Sequence, residues 1–398
     1  MSVHTRRIVD AGEPSVLASL MPLMGTVLVG FLVIGAAMPV LPLHVRDGLG
    51  FGPFMVGIVA GCQFAAALVA RVWSGHSVDA RGPKWAVTLG LAAATGAGLL
   101  YLLSVFFLGT PRVSVGILLA GRAVLGGAES FIITGATTWG LARVGTQNAG
   151  KVIAWMGTAM FAAFAAGAPL GTALYAWGGF AAVALATALA PLATLLLIAP
   201  LRGEQASHRG RANILSVVGQ IWLPGLGAAL SSVGFGAIIA FSSLLFAQHN
   251  WTPIWLPFSA YAVALIAARL LFGHLPDRIG GAKVALLSVV VEAAGLALIW
   301  LAPSAVLATL GAALTGFGYS LVFPGFGVEA VRRAPPESRG VAMGAYTACL
   351  DLALGVSGPS LGLIAGSAGL PAVFLVSALV VLCAASISVP LVRRSSFG

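Results

Sequence analysis

The sequence alternates long apolar runs with short polar, glycine-rich or proline-rich breaks, and this pattern continues from residue 20 almost to the end. A helix needs about 20 apolar residues to cross roughly 30 Å of hydrocarbon, because each residue adds about 1.5 Å. The runs have this length. They predict twelve membrane-spanning helices, at 20–43, 53–76, 84–108, 113–140, 149–175, 179–201, 217–247, 252–274, 282–302, 304–330, 339–367 and 370–392.

The polar stretches between these runs are too short to form a soluble domain, since the longest extends only from Arg202 to about Asn213. That stretch lies near the middle and separates two sets of six helices. The sequence therefore predicts an all-α integral membrane protein. Its expected segments are a cytoplasmic N-terminal segment at 1–19, an N-terminal six-helix bundle at 20–201, a cytoplasmic linker at 202–216, a C-terminal six-helix bundle at 217–392 and a cytoplasmic tail at 393–398.

The composition also indicates a membrane protein. Hydrophobic residues make up 59% of the 398 and charged residues 8%, whereas soluble chains carry roughly 25% charged residues. The net charge of +10 does not indicate nucleic-acid binding, because the basic residues are scattered at loops rather than gathered in a patch. Cys62, Cys349 and Cys383 lie in apolar runs without metal-ligand spacing, so we expect neither disulfides nor a bound metal.

Basic residues are distributed unequally between alternate loops. One set of loops and both termini carry most of the Lys and Arg, whereas the other loops carry only Arg46 and Arg112. Loops rich in Lys and Arg are retained in the cytoplasm during insertion. We therefore expect a multi-pass protein of the bacterial inner membrane with both termini cytoplasmic.

The two predicted halves share internal repeats. The pattern A-R-x-x-x-G-H-x-x-D begins at Ala70 and again at Ala268, an offset of 198. Further on, Ser and Gly positions after Ser130 recur after Ser320 at an offset of 190. Because six helices separate the copies, the halves keep the same orientation in the membrane and form a pseudo-symmetric pair of bundles.

The loops in this repeat resemble the G-x-x-x-D-R/K-x-G-R-R/K motif of the major facilitator superfamily. The second copy fits through Gly273, Asp277, Arg278 and Gly280, with Lys283 one residue late. The resemblance implies the twelve-helix major facilitator fold, in which the motif holds the cytoplasmic side shut in the outward-facing state. The alternative is an ordinary basic loop that follows the topology rule. The first copy fits through Gly75, Asp79, Gly82 and Lys84, but Ala80 replaces the usual base.

Two further patterns resemble motifs of this superfamily, and the second resembles the exporter version of a proline-glycine motif. Arg122 is followed by Gly126 and Gly127 in the predicted fourth helix, and Gly358-Pro359 lies in the eleventh. Small residues and a proline permit close helix approach and bending, although packing alone also uses them. The chain resembles bacterial twelve-helix drug:H⁺ antiporter-type exporters, in particular the YhhS/YfcJ-like permeases.

Four ionisable residues lie deep inside predicted helices: Arg122, Glu129, Glu292 and Asp351. Each costs at least about 2.5–3.5 kcal/mol near the bilayer centre, so each is a candidate for proton coupling. Arg122 and Glu129 share a helix face but are separated by about 10.5 Å of axial rise, too far for an easy direct ion pair. We therefore expect each to have another partner.

Our hypothesis is that Asp351 or Glu129 binds a proton in one conformation and releases it in the other, with Arg122 biasing the exchange. Burial favours the neutral form of a carboxyl group and a nearby Arg favours the charged form. The alternative is a static buried ion pair or hydrogen-bonded acid. The predicted first helix lacks the acid found in many antiporters of this family, which leaves a facilitator or symporter open.

The resemblance also implies a central substrate cavity lined by helices one, four, seven and ten. These segments are mostly apolar, and aromatic and Met side chains there can contact varied apolar ligands or simply pack. Few polar groups are present for a sugar, which favours an amphiphilic or aromatic solute. The candidates are Met24, Phe31, Met38, Thr134, Thr137, Phe235, Phe241, Tyr319, Phe323 and Phe326.

The function that we predict is secondary active transport, with proton-coupled efflux of a small organic, drug-like or metabolite solute by alternating access. The alternative is an uptake symporter or passive facilitator for a sugar, organic acid or metal chelate. A receptor or scaffold is the remaining non-enzyme class. No nucleotide-binding loop, nucleophile elbow or metal helix is present, so we expect no enzyme activity and no cofactor. The expected partners are the solute, protons and lipid, and the expected unit is a monomer.

Overall fold

The computed structural model describes residues 16–204, 214–334 and 339–395, and its regular structure there is helical. A short π-helix at His44–Gly48 and a 3₁₀ turn at Thr146–Asn148 accompany the α-helices. The α-helices are α1 Val16–Ala37, α2 Leu41–Leu43, α3 Pro53–Arg81, α4 Pro83–Val105, α5 Pro111–Val144, α6 Ala149–Ile198, α7 Ile214–Gln248, α8 Leu256–Phe272, α9 Leu275–Ile279, α10 Gly281–Trp300, α11 Ala305–Arg333, α12 Arg339–Ala368 and α13 Leu370–Ser395.

The helix count agrees with the twelve-helix prediction once α6 and α8 are considered. Ten helices of the described ranges are long and apolar enough to cross a membrane, and α8 is apolar but shorter. The 50 residues of α6 would span about 75 Å, more than twice the hydrocarbon thickness. Its backbone leaves helical geometry at Gly178 and at Gly179, where φ is 61°, so α6 provides two crossings. The fifth and sixth predicted helices meet at this break.

One boundary differs from the prediction in a way that affects the motif. The second predicted helix ends at residue 76, but α3 continues to Arg81. Gly75 and Asp79 therefore lie on the last turns of a helix and not in a loop. The helix ends where Gly82 adopts φ 88°, and Gly280 adopts φ 95° at the corresponding position before α10. Residues other than glycine rarely adopt such a positive φ.

The outer surface carries large apolar side chains. Trp177 is 84% exposed, Leu197 75% and Val306 70%. An apolar surface of this kind is unstable in water and is covered by lipid hydrocarbon in a membrane protein. The burial pattern therefore agrees with the hydropathy of the sequence.

Helices of the two predicted halves contact each other along two lines. One line is formed by α3 against α12, and the other by α6 against α8. The contact between the second and eleventh predicted helices is thus present. It places residues from the first and last thirds of the chain side by side at mid-depth.

Glycines allow α3 and α12 to approach closely near the start of α3. A Cβ atom at Gly61 would lie 2.5 Å from the Gly355 carbonyl oxygen, and one at Gly362 would lie 2.6 Å from that of Pro53. Toward the other end of α3, a Cβ atom at Gly75 would meet nothing within 4 Å. The two helices are therefore tightly packed near the start of α3, whereas none of the described residues packs against Gly75.

Candidate functional site

An ion pair connects the two halves at the α3–α12 contact. The Arg71 Nε donates a hydrogen bond of 2.8 Å to Asp351 Oδ2, and its Nη2 donates one of 2.5 Å to the same oxygen. The Asp351 side chain is 9% exposed and that of Arg71 22%. In this conformation the cation that faces Asp351 is Arg71, and not Arg122 as in our sequence hypothesis.

Glu129 lies near this pair but binds a neutral partner. The Gln63 Nε2 donates a hydrogen bond of 2.7 Å to Glu129 Oε2, joining α3 to α5. Glu129 also interacts electrostatically with Asp351 and Arg71. The two acids and the arginine therefore form one charged group, with Glu129 and Arg71 from the first half and Asp351 from the second.

Arg122 also lies within electrostatic range of Glu129, but its hydrogen bonds go to backbone carbonyls of α3 and to a tyrosine. Its Nε donates to the Val59 carbonyl at 3.1 Å, its Nη2 to the Ala60 carbonyl at 3.5 Å, and its Nη1 to the Tyr101 hydroxyl at 3.4 Å. A cavity of about 10 Å³ adjoins it, which is about the space of one water. Arg122 thus ties α5 to α3 and α4.

Glu292 lies inside the second half, in α10. It is fully buried, and Ser231 of α7 donates a hydrogen bond to its Oε2. Its Oε1 has no hydrogen-bond partner among the described residues and faces Gly234, where a Cβ atom would lie 2.6 Å away. Glu292 therefore joins α10 to α7 and shares no hydrogen bond with the Arg71–Asp351 pair.

The predicted cavity residues fall into two groups. The first group contains Phe31, Phe235 and Tyr319. Together with Phe164, Phe258 and Tyr261, these residues form what we call the central aromatic cluster. Phe235 stacks on Tyr261 with ring centroids 5.3 Å apart and on Tyr319 at 5.7 Å. Phe164 joins the first half to this group, with its ring 6.4 Å from Phe235, 6.0 Å from Phe258 and 5.8 Å from Phe31.

The other predicted cavity residues lie outside the cluster. Phe241 and Phe326 are fully buried, and a Cβ atom at Gly227 would touch the Phe326 ring, so Phe326 packs between helices. Phe323 contacts Tyr346, with ring centroids 5.1 Å apart.

The remaining candidates sit at different depths of α1 and α5. Met38 borders the small cavity beside Arg122, and Met24 is half-buried. Thr134 Oγ1 accepts a hydrogen bond of 3.3 Å from Ser74, and Thr137 is half-buried.

The motif residues occupy the ends of α3 and α8 and the helices that follow them. Lys84 Nζ donates hydrogen bonds to the carbonyls of Ala199 at 2.7 Å and Leu201 at 2.6 Å, where α6 ends. Asp79 makes no ion pair with any residue in the described ranges.

The second copy of the motif is more exposed. Gly273 ends α8, and Arg278 and Lys283 are exposed. Gly280 supplies the left-handed backbone before α10. The side chain of Asp277 lies outside the described part of the chain.

Two arginines of the site were missed in the sequence analysis although the repeat contains both. Arg71 and Arg269 are the arginines of the A-R-x-x-x-G-H-x-x-D pattern, and both lie within predicted spans. They served only to identify the repeat and were assigned no role. Phe164, Phe258 and Tyr261 were missed because helices five and eight were not considered as cavity walls.

Other proteins resemble this chain over most of its length. It matches the family model described as Major Facilitator Superfamily over residues 23–258 and 224–397. An uncharacterized MFS-type transporter of Pseudomonas aeruginosa (strain UCBPP-PA14) is 40% identical over 386 residues, which cover 97% of this chain and 96% of the relative. An uncharacterized MFS-type transporter of Salmonella typhimurium (strain LT2) is also 40% identical, over 92% of this chain and 94% of the relative.

Solved structures share the fold at low sequence identity. The nucleoside transporter NupG aligns with a TM-score of 0.75 at 15% identity and covers 94% of this chain and 99% of its own. A D-xylose-proton symporter aligns with a TM-score of 0.73 at 12% identity and covers 91% of this chain and 96% of its own. These likenesses concern the fold alone.

The fold and these matches define a multi-pass, α-helical secondary transporter of small molecules and not an enzyme, as the sequence predicted. More specifically, the chain belongs to the Major Facilitator Superfamily. The predicted fold class and family resemblance are thereby confirmed.

Proposed function

We propose that this protein is a proton-coupled transporter that exports a small organic solute by alternating access. The observation that carries this proposal is the Arg71–Asp351 pair, because it joins the two halves that must separate and rejoin during transport. Asp351 can also respond both to proton binding and to the relative movement of the two halves. A proton can neutralise it, and the motion of α3 relative to α12 can change its distance from Arg71.

The coupling step follows from the charge of this pair. When Asp351 is ionised, two charge-assisted hydrogen bonds from Arg71 hold α3 against α12 at this level. A proton on Asp351 removes the carboxylate charge and weakens these bonds, so the halves can separate there. Movement away from Arg71 in turn favours the protonated acid. Proton binding and conformation thus favour each other.

Glu129 is the second acid of the proposed proton route. It lies within electrostatic reach of Asp351, and Gln63 orients its carboxyl group. Arg122 would act indirectly, because its hydrogen bonds fix α5, which carries Glu129, against α3. Glu292 would not join this route directly, since its hydrogen-bond partner Ser231 belongs to the second half.

The conformation fits one step of the proposed cycle. With the predicted orientation, the glycine-packed end of α3 and α12 faces outward and the Gly75 end faces the cytoplasm. The arrangement would then be inward-facing. Gly75 has open space around it, and Asp79 makes no ion pair with the described residues; we propose that both gain partners when the cytoplasmic end closes.

We further propose that the protein lies in the bacterial inner membrane with both termini cytoplasmic and that one chain is the transporting unit. The distribution of basic loops supports the orientation, and both halves of the charged group come from the same chain. Fusion of alkaline phosphatase or a fluorescent protein after residue 398 tests the topology. Phosphatase activity without fluorescence would contradict it.

Transport assays test the proposed function directly. Purified protein would be placed in liposomes with an imposed pH gradient, and a panel of lipophilic cations, antibiotics, sugars, organic anions and metal chelates would be screened while internal pH is followed. We expect uphill solute movement with proton flux in the opposite direction. The Asp351→Asn variant should lose the coupled flux, whereas Asp47→Asn, an exposed acid paired with its neighbour Arg46, should retain it.

Symport is the second candidate, because a proton symporter is among the structures that share the fold. Proton and solute flux in the same direction would establish that candidate in place of export. Downhill solute movement without any proton signal would contradict coupling through Asp351 and indicate a facilitator.

A further inference from the structure

Arg269 is the counterpart of Arg71 in the second half, and it makes no ion pair with an acid of the described residues. It occupies the same position of the repeat, 198 residues later, on α8. Its guanidinium lies over the Phe161 ring of α6, with 5.2 Å between Cζ and the ring centroid. Its single hydrogen bond to the described residues is a long one, from Nη2 to the Ser320 carbonyl at 3.4 Å.

The symmetry of the halves identifies the residue that stands opposite Arg269 in the place of Asp351. Asp351 precedes Pro359 by eight residues, and Phe161 precedes Pro169 by the same number, so both pairs are related by an offset of 190. This is also the offset of the repeat between Ser130 and Ser320. The arginine at one interface faces a carboxylate, whereas the arginine at the other interface faces an aromatic ring.

An unpaired cation inside the membrane is costly, and such residues normally pair or bind a substrate. The guanidinium has five N–H donors in a planar fork. The Phe161 ring is a cation–π partner, and only one of these donors has a hydrogen-bond acceptor among the described residues. Since these donors match a carboxylate or sulfonate in a bidentate arrangement, the geometry fits an anionic group.

The surroundings indicate what the rest of such a ligand would be. Phe161 contacts Phe164 of the central aromatic cluster, with ring centroids 5.9 Å apart. Arg269 also lies close to Tyr261 and Tyr319 of that cluster. A ligand whose anion reaches Arg269 would therefore place its body against aromatic rings contributed by both halves.

We propose that Arg269 is the anion subsite of the transport site and that the solute is a free amphiphilic organic anion with an aromatic or apolar body. This inference rests on the proposed function only in that the chain moves a small organic solute. It does not depend on proton coupling or on the direction of transport.

The first test compares ligands that differ only in charge. Naphthalene-2-sulfonate, naphthalene-2-methanol and 2-naphthylmethylammonium would be titrated against the protein in phosphatidylcholine nanodiscs, with equal internal and external pH. We expect the sulfonate to bind at least about tenfold tighter than the other two. Equal binding of the three, tighter binding of the cation, or no binding of the sulfonate would overturn the proposal.

The second test changes the charge of the subsite. Arg269→Gln should weaken sulfonate binding by at least about thirtyfold and leave binding of the neutral alcohol unchanged, whereas Arg269→Lys should retain most of the affinity. Arg112→Gln removes an exposed arginine charge at the start of α5, outside the motif and the proposed subsite, and is the matched control. Unchanged sulfonate affinity in Arg269→Gln would overturn the proposal.

A third variant supplies the missing acid. Phe161→Asp would place a carboxylate where Asp351 stands in the other interface, and it should pair with Arg269 and weaken sulfonate binding at least tenfold relative to Phe161→Asn. Equal affinity of the two variants would contradict an anion subsite at Arg269. Because these are binding measurements without a pH gradient, their failure is distinct from a failure of proton coupling, which only the flux assay reports.

An anionic lipid headgroup offers the same chemistry as a free organic anion. The sulfonate titration would therefore be repeated in nanodiscs with phosphatidylglycerol. We expect its affinity to change less than threefold, once the added surface charge is screened with salt. If phosphatidylglycerol competes with the sulfonate and abolishes its binding even at high salt, the subsite binds a lipid headgroup. That result would overturn the assignment to a free solute.

Discussion

Arg71 and Asp351 are separated by 280 residues in the chain, yet both hydrogen bonds of the arginine side chain end on the same carboxylate oxygen of Asp351. The two helices that carry them belong to different halves of the transporter. In the alternating-access cycle that we propose, the halves rock against each other, and we expect this pair to form or break with that movement.

We predict a measurable coupling free energy between these two residues. Arg71→Gln leaves the partly buried Asp351 carboxylate without its cation, and Asp351→Asn leaves the Arg71 guanidinium without its anion. The double variant removes both charges. A double-mutant cycle from chemical unfolding in mixed micelles should therefore give a coupling of about 1–2 kcal/mol.

The Arg46–Asp47 pair is the matched control for this cycle, because Asp47 is 56% exposed and its partner is the adjacent residue. An exposed pair should give less than about 0.5 kcal/mol. Equal coupling in the two cycles would show that the Arg71–Asp351 pair does not hold the halves together.

Most of the fold could be predicted because bilayer thickness fixes helix length. Ten of the eleven predicted breaks contain charged residues, glycine or proline, and glycines end α3 and interrupt α6. The end of α3 was predicted five residues early. Ser77 and Asp79 look like loop residues, but a helix leaving the bilayer can carry polar side chains until a residue with left-handed backbone, here Gly82, ends it.

The site was less predictable, because pairing between distant helices is not encoded in local spacing. Asp351 was recognised from its depth, and the separation of Arg122 from Glu129 indicated that each has another partner. The identity of those partners, Val59 and Tyr101 for Arg122 and Gln63 for Glu129, depends on how α3 and α5 rotate against each other. Hydrophobic periodicity does not determine that rotation.

A second prediction concerns the glycines between α3 and α12. Gly61→Ala would place a methyl group 2.5 Å from the Gly355 carbonyl oxygen, and that oxygen belongs to a helix backbone that cannot easily shift. We expect a loss of about 1–3 kcal/mol in stability and reduced transport. Spin-label distances across this end should also increase.

Gly96→Ala is the control for this substitution. It lies within α4, where an added Cβ atom meets nothing within 4 Å, so removal of a helical glycine should leave stability unchanged or slightly higher. If Gly61→Ala behaves like Gly96→Ala, the close packing of α3 on α12 is not needed to close this end.

A third prediction separates the two glycines of the first motif copy. Gly82 has φ 88° and ψ 160°, a conformation open essentially to glycine alone. Gly82→Ala should therefore cost about 1–3 kcal/mol in unfolding free energy, measured in detergent micelles.

Gly75 is helical and has open space around it in this conformation. Gly75→Ala should keep the stability of this state, but it should slow transport if α12 approaches Gly75 when the cytoplasmic end closes. Normal stability with normal turnover in Gly75→Ala would contradict that closure contact.

The last prediction concerns Lys84, the basic residue of the same motif. Its ammonium group binds two carbonyls beyond the end of α6, where helix carbonyls lack partners and the helix dipole is negative. Lys84→Met should therefore lower stability by about 1 kcal/mol, after allowance for its partial exposure.

Lys84→Arg keeps the charge and should retain most of this stability, while Lys151→Met, an exposed lysine at the start of α6, should have no effect. Unfolding midpoints at one fixed scan rate would compare the three variants. If Lys84→Met unfolds like Lys151→Met, the motif lysine serves only topology. If only Lys84→Met loses stability, the motif lysine also holds the end of α6, the sixth crossing, against the start of α4.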